Sequence, residues 1–218
     1  MCSTIEIDSV HKCFGDRNLL SDVSLKCSIG DIIGVFGRNG TGKSTFFKIF
    51  FGTEKCDNKF VRHNGIVYRR PYLKKNLLQY LPQRSFIPKH LTIDKVAKLC
   101  LNKSAIAEFL SDPFFAPLMK TAVDSMSFGE RRFLEIKLMI FLSSEFLLLD
   151  EPFNGLTPVM VEVIKRMIME ASITKGIIIT DHDYESVLDV SNKLFLICDG
   201  ALKSIKGKSD LVTFGYLT

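Results

Sequence analysis

A layered α/β fold, with peripheral antiparallel strands and a small helical lobe, follows from three observations in the sequence. The apolar run DIIGVF (residues 31–36) leads straight into the glycine-rich GRNGTGKSTF (37–46), which opens a helix. Two more apolar runs, FLLL before Asp150-Glu151 and GIII before TDHD, read as buried strands ending in polar residues. Segments of helical periodicity lie between these runs, and strands alternating with helices call for a layered α/β core.

The elements follow in order. TIEIDSV and LLSDVSLKCSI alternate as short strands, with Gly15-Asp16-Arg17-Asn18 as their turn. DIIGVF is a buried strand, and the helix after the glycine-rich loop begins near Gly42. Residues 52–82 mix Gly, Asn and short apolar runs such as NGIVYRR, and are expected to form peripheral strands and loops. LTIDKVAKLC and AIAEFL, on either side of Asn102-Lys103-Ser104, read as short helices, and Asp112-Pro113 and Pro117 break up the region. The helical lobe therefore falls at about residues 84–126, inside a single domain spanning 1–218. A further helix should start near Gly129, with Phe133, Ile136, Leu138 and Ile140 on its apolar face. VMVEVIKRMIMEA is amphipathic too, Val187 and Leu188 lie in the next helix, and KLFLICDGALKSI closes as a hairpin turned at Asp199-Gly200.

Composition bounds the function classes. With 218 residues, 46% of them hydrophobic and 24% charged, the chain can bury a substantial core. The net charge of +5 tolerates ATP, an anionic membrane or nucleic acid without selecting one. Arg69-Arg70, Lys74-Lys75 and Arg131-Arg132 read as solvated basic patches. No aromatic-basic interleaving builds a stacking platform, so no nucleic-acid partner is expected. Six cysteines without a CxxC read as free thiols in a reducing compartment, most of them small apolar filler. The start, MCSTIEIDSVHKCF, has no apolar signal region, so a cytoplasmic chain is expected. FLEIKLMIFLSSEFLLLDE is interrupted by Glu135, Lys137, Ser143, Ser144 and Glu145, short of the ~20 apolar residues that a membrane span needs.

The chemistry starts at the loop. Gly37-Arg38-Asn39-Gly40-Thr41-Gly42-Lys43-Ser44 satisfies GxxxxGK[ST], and its glycines let successive N–H groups converge on phosphate oxygens. The helix that follows, carrying Thr45 in its first turn, adds its positive end. Lys43 can reach the β- and γ-phosphates, and Ser44 can ligate Mg²⁺. Asp150, delivered by a buried strand, suits the magnesium side of the site. Glu151 beside it can act as general base on the attacking water. His182 has the character of a polar sensor beside a γ-phosphate.

YLPQ ending at Gln83, MSFGERR at 126–132, FNGLTP after the acidic pair and TDHD around His182 complete the pattern. In this order they resemble the Q-loop, signature motif, D-loop and switch histidine of an ABC-type ATPase, over nearly the whole chain. The resemblance implies a P-loop NTPase core and a homodimer with two ATP sites between head-to-tail subunits. Gly37 to Ser44 would hold ATP from one subunit, and Ser127 and Gly129 of the other would contact its γ-phosphate. Gln83 would link magnesium or the attacking water to the lobe, and Phe14 resembles the aromatic that stacks on adenine.

The resemblance also implies a cytoplasmic ATPase subunit, peripherally attached to the inner face of a membrane through integral membrane transport subunits. Phe109, Phe114 and Phe115 either help dock such a partner or form a packed local core. The signature departs from LSGGQ at Phe128 and Glu130, the latter adding negative charge near the partner site, and the D-loop has Thr157 where Asp is usual. Two alternatives stand beside the transporter reading: a soluble mechanical ATPase of this family in nucleic-acid maintenance or complex assembly, and a slow regulatory nucleotide-binding subunit.

Overall fold

The computed structural model describes residues 2–217. β1 (Thr4–Phe14) and β2 (Arg17–Ser28) form an antiparallel pair that turns at Gly15-Asp16, as the alternation predicts. Next come β3 (Ile32–Phe36), α1 (Lys43–Phe51), β4 (Asn58–His63), β5 (Ile66–Val67) and β6 (Leu78–Leu81). The middle of the chain holds α2 (Ile93–Cys100), α3 (Lys103–Leu110), two short 3-10 turns, α4 (Phe128–Phe141) and β7 (Phe146–Asp150). The last third runs α5 (Pro158–Ser172), β8 (Gly176–Thr180), α6 (Tyr184–Val190), β9 (Lys193–Cys198), β10 (Ala201–Ile205) and α7 (Lys208–Thr213). The hairpin of β9 and β10 turns where expected, with Asp199 at φ 52° and Gly200 at φ 75°.

Two sheets result. One is antiparallel in the order β2-β1-β4-β5, and the other runs β10-β9-β3-β8-β7-β6. In the second, every pair from β9 to β6 is parallel, and only β10 reverses. β6 corrects one expectation. It is not peripheral but sits in the main sheet, with Leu78–Leu81 in register with Phe146–Leu149. Four residues carry too little periodicity to announce a sheet strand, and its partner lies more than 60 residues away.

The main sheet is buried on both faces because alternate side chains feed two cores. Ile33, Val35, Phe146, Leu148 and Ile178 pack with Phe46, Phe47 and Phe50 of α1 and the inner face of the antiparallel sheet. Phe36, Leu147, Leu149, Ile177 and Ile179 pack instead with Phe133, Leu134, Ile164 and Ile168 from α4 and α5. This layering holds the C-terminal ends of β3, β6, β7 and β8 along one edge, where an open parallel sheet binds its ligands.

Three further expectations are revised, and one left open is decided. α4 is not simply amphipathic, since Arg132 to Met139 are all buried. Its Arg132 is 3% exposed, so the Arg131-Arg132 pair is not a solvated patch, whereas Arg69, Arg70, Lys74 and Lys75 are exposed as read. Phe109 and Phe115 form a packed core, their rings stacked at 6.0 Å, with Phe115 5.3 Å from Phe133. All six cysteines are free, but only Cys27 is buried filler, and Cys2, Cys13 and Cys100 are exposed. Among the described residues, no helix is long and apolar enough to cross a membrane.

Candidate active site

The phosphate loop leaves the end of β3 and closes at Gly42, whose φ of 105° no β-carbon residue adopts comfortably. A β-carbon there would also press on Leu19 at 3.0 Å. α1 starts at Lys43, so its free N–H groups and positive end face the loop. Lys43 is buried, with Nζ donating to the Gly37 carbonyl at 2.6 Å and the Arg38 carbonyl at 3.2 Å. Burial lowers its pKa, while the nearby carboxylates of Glu151, Asp150 and Asp181 oppose the shift.

β7 delivers the acidic pair. Asp150 is 1% exposed and accepts from Ser44 Oγ at 3.1 Å and from Tyr80 Oη at 2.9 Å. Burial pushes its carboxyl up from the ordinary aspartate range, and the two hydrogen bonds pull it back. Glu151 breaks out of the strand at φ 53°, a left-handed conformation that costs a non-glycine residue about 1–2 kcal/mol. Its N–H donates to the Thr180 carbonyl at 2.7 Å, which ties the turn to the end of β8. Strain at this position turns the Glu151 side chain toward the residues arriving from neighbouring strands.

Those residues converge on one atom. Glu151 Oε1 accepts from Gln83 Nε2 at 2.6 Å and lies 3.1 Å from His182 Nε2. Gln83 Nε2 also reaches Ser44 Oγ at 3.1 Å. The second carboxylate oxygen of Glu151 meets Asn154 Nδ2 at 3.4 Å. An open pocket of about 190 Å³ is lined by Asn39, Gly40, Gly42, Lys43, Ser44, Thr45, Gln83, Glu151 and His182, together with Leu19. Four separate segments, from the ends of β3, β6, β7 and β8, are thus brought together.

Of the expected site residues, Gly37, Thr41 and Asp150 lie just behind this lining, and Ser127, Gly129 and Phe14 also lie outside it. Ser127 caps α4 in a reciprocal box: Glu130 N–H donates to Ser127 Oγ at 3.2 Å, and Ser127 N–H donates to Glu130 Oε2 at 2.7 Å. The Glu130 carboxylate, expected to add charge near a partner site, is therefore engaged by its own helix cap. Gly129 abuts the next motif, because a β-carbon there would meet the Gly155 carbonyl at 2.7 Å. The Phe128 ring covers Gly155 itself, and Thr157 caps α5 through a contact to Met160 N–H at 3.4 Å. Phe14 is 54% exposed, with Lys12 Nζ 4.3 Å from its ring centroid.

Three residues of the site were missed in the sequence. Tyr80 stood inside YLPQ, and Arg132, which braces the site from behind through the Asp150 and Glu151 carbonyls, inside MSFGERR, but a tyrosine in a strand and an arginine in a basic pair carry no signal of their own. Leu19 had none beyond its place in an apolar run.

A parallel sheet whose edge gathers a phosphate loop, an acidic pair and a polar sensor defines a nucleotide-hydrolysing protein. Residues 20–154 match the ABC transporter family, and the chain belongs to that family. It is the ATP-binding subunit, an ATPase that powers a transporter. Over 225 residues it is 27% identical to the lipopolysaccharide export system ATP-binding protein LptB of Acidithiobacillus ferridurans, covering 97% of this chain and 93% of that relative. It is 30% identical over 214 residues to LptB of Escherichia coli (strain K12), covering 92% and 89%. A solved ATP-binding subunit of an ABC transporter has the same fold, with a TM-score of 0.82 at 19% identity, covering 97% and 93%.

Proposed function

We propose that Glu151 is the general base of ATP hydrolysis, with Gln83 and His182 holding it and the attacking water in register. The convergence of Gln83 at 2.6 Å and His182 at 3.1 Å on one Glu151 oxygen carries this reading. It leaves the other carboxylate oxygen loosely held and able to accept a proton. Lys43 and the N–H groups of Gly37 to Thr45, with Asn39, Gly40, Thr41, Gly42 and Ser44 among them, cradle the phosphates. Phe14 supplies an exposed ring face for adenine, and Leu19 an apolar wall.

Ser44, Asp150 and Gln83 suit Mg²⁺. They offer a hydroxyl, a carboxylate and an amide, hard donors few enough to leave room for water and phosphate oxygens. Bound with ATP, the ion supplies neutralising charge to the β- and γ-phosphates. Asp150 is held ready by Ser44 on one carboxylate oxygen and by Tyr80 on the other.

The site is completed in a homodimer, Ser127 and the α4 N-terminus of one subunit facing the γ-phosphate held by the other. Ser127 is exposed at the N-terminus of α4 and away from the pocket lining, which leaves it accessible to a second subunit and supports a role across a subunit boundary. Closure of this pair, passed through the helical region at 84–126 to integral membrane subunits at the inner face of a membrane, is the transport stroke. Tagged Glu151→Gln protein, captured with ATP and Mg²⁺ from gently solubilised native membranes, tests the assembly. Two copies with a multi-span protein are expected by mass spectrometry and sedimentation. Recovery with soluble proteins or nucleic acid alone would sink the membrane-coupled reading, and a strictly monomeric protein would sink the dimer.

A further inference from the structure

Arg132 is a buried cation that no part of the nucleotide-binding reading uses. Its side chain is 3% exposed, and its guanidinium reaches two separate functional segments besides its own helix. Nη1 donates to the Pro82 carbonyl at 2.7 Å, in the segment that carries Gln83. Nη2 donates to the carbonyls of Asp150 at 2.5 Å and Glu151 at 3.0 Å. Nη1 also pairs with Glu135 Oε2 at 3.3 Å, one helical turn along α4. Glu135, 2% exposed, accepts on Oε1 from Ser85 Oγ and from Phe86 N–H at 3.1 Å, so it too grips the chain just beyond Gln83.

The pair therefore sits where α4, the strand end bearing the two carboxylates and the segment bearing Gln83 meet. Taking two charges out of water is costly, and an apolar pair of similar volume would fill the space as well. What apolar side chains could not do is bind three backbone carbonyls of two loops in one rigid plane, which the planar fork of arginine does. Those groups belong to the residues on either side of the Gln83–Glu151 contact. A shift of the fork thus moves both partners of that contact.

We propose that Arg132 and Glu135 are positioning residues for ATP hydrolysis, locking the Glu151 turn and the Gln83 segment to α4 so that base and glutamine are held in register. The inference rests on the reading of Glu151 as the base and adds to it. Arg132 is not among the residues lining the pocket, and it acts through the backbone of Pro82, Asp150 and Glu151. Because α4 also begins at Ser127 and Gly129, the same lock makes the catalytic turn sense any displacement of that helix end.

Arg132→Lys tests the idea in the full chain. Lysine keeps the buried charge paired with Glu135 but offers a point donor in place of the fork. The expected result is a folded protein whose melting temperature and KM for ATP stay close to wild type, while kcat falls at least about tenfold. Arg132→Met with Glu135→Gln removes both charges together and serves the same purpose if the lysine variant does not fold. A second readout separates positioning from general weakening. If Arg132 acts through Glu151, adding Arg132→Lys to Glu151→Gln leaves the residual rate within about twofold, because groups acting as a unit are not additive. Wild-type kcat in either folded Arg132 variant, or full additivity with Glu151→Gln, would overturn this inference alone. Undiminished turnover in Glu151→Gln itself would remove the site reading and this inference with it.

Discussion

Glu151→Gln separates holding ATP from cutting it. The substitution preserves shape: an amide oxygen in place of Glu151 Oε1 still accepts from Gln83 Nε2, now at 2.6 Å, and still faces His182 Nε2, now at 3.1 Å. The backbone turn is also retained, since it is held by the Thr180 carbonyl and by Arg132 rather than by the side chain. What disappears is the negative charge and the ability to take a proton. A positioned general base contributes about 10²–10⁴-fold. At about 1.4 kcal/mol per tenfold, that raises the barrier by roughly 3–5 kcal/mol. Phosphate release at saturating ATP and Mg²⁺ should therefore fall by about two to four orders of magnitude. Affinity for a fluorescent ATP analogue should hold or rise, because a carboxylate beside the phosphates has been neutralised. A kcat within threefold of wild type would refute Glu151 as the base, and a parallel collapse of affinity would refute the separation of roles.

Lys43→Ala removes the buried cation at the mouth of the loop, so ATP affinity measured by calorimetry should drop at least about tenfold. Unchanged affinity would count against a phosphate contact. Phe115→Ala empties a fully buried ring position between Phe109 and Phe133, and should cost about 3–5 kcal/mol in urea unfolding. A loss under about 1 kcal/mol would mean that this core collapses around the gap. Gly155→Ala places a β-carbon 2.3 Å from the Phe128 ring at a φ of 75°, so about 1–2 kcal/mol of backbone cost adds to displacement of the ring. In a Phe128→Ala background only the backbone part should remain, and equal costs in both backgrounds would argue against the contact.

The order of elements was legible because local chemistry carries it. The antiparallel pair, β3, the loop helix, β7, β8 and the final hairpin each announce themselves by alternation, by an apolar run or by a turn of Asp and Gly. The short strand β6 did not, because four residues hold too little pattern and its place depends on pairing with β7. The family motifs likewise name Gln83, Glu151 and His182 one at a time, without saying that they meet on a single carboxylate oxygen.

On its own, the sequence determined the phosphate loop, the acidic pair and the layered α/β class, since each rests on residue types at fixed local spacing. Tertiary structure decided what Arg132, Glu135, Tyr80 and Phe115 do. An arginine in a run of charged residues reads as solvated until the fold buries it beside three backbone carbonyls from distant segments. Burial and long-range hydrogen bonding are properties of the packed chain, and they change the chemistry of a side chain that local sequence leaves ordinary.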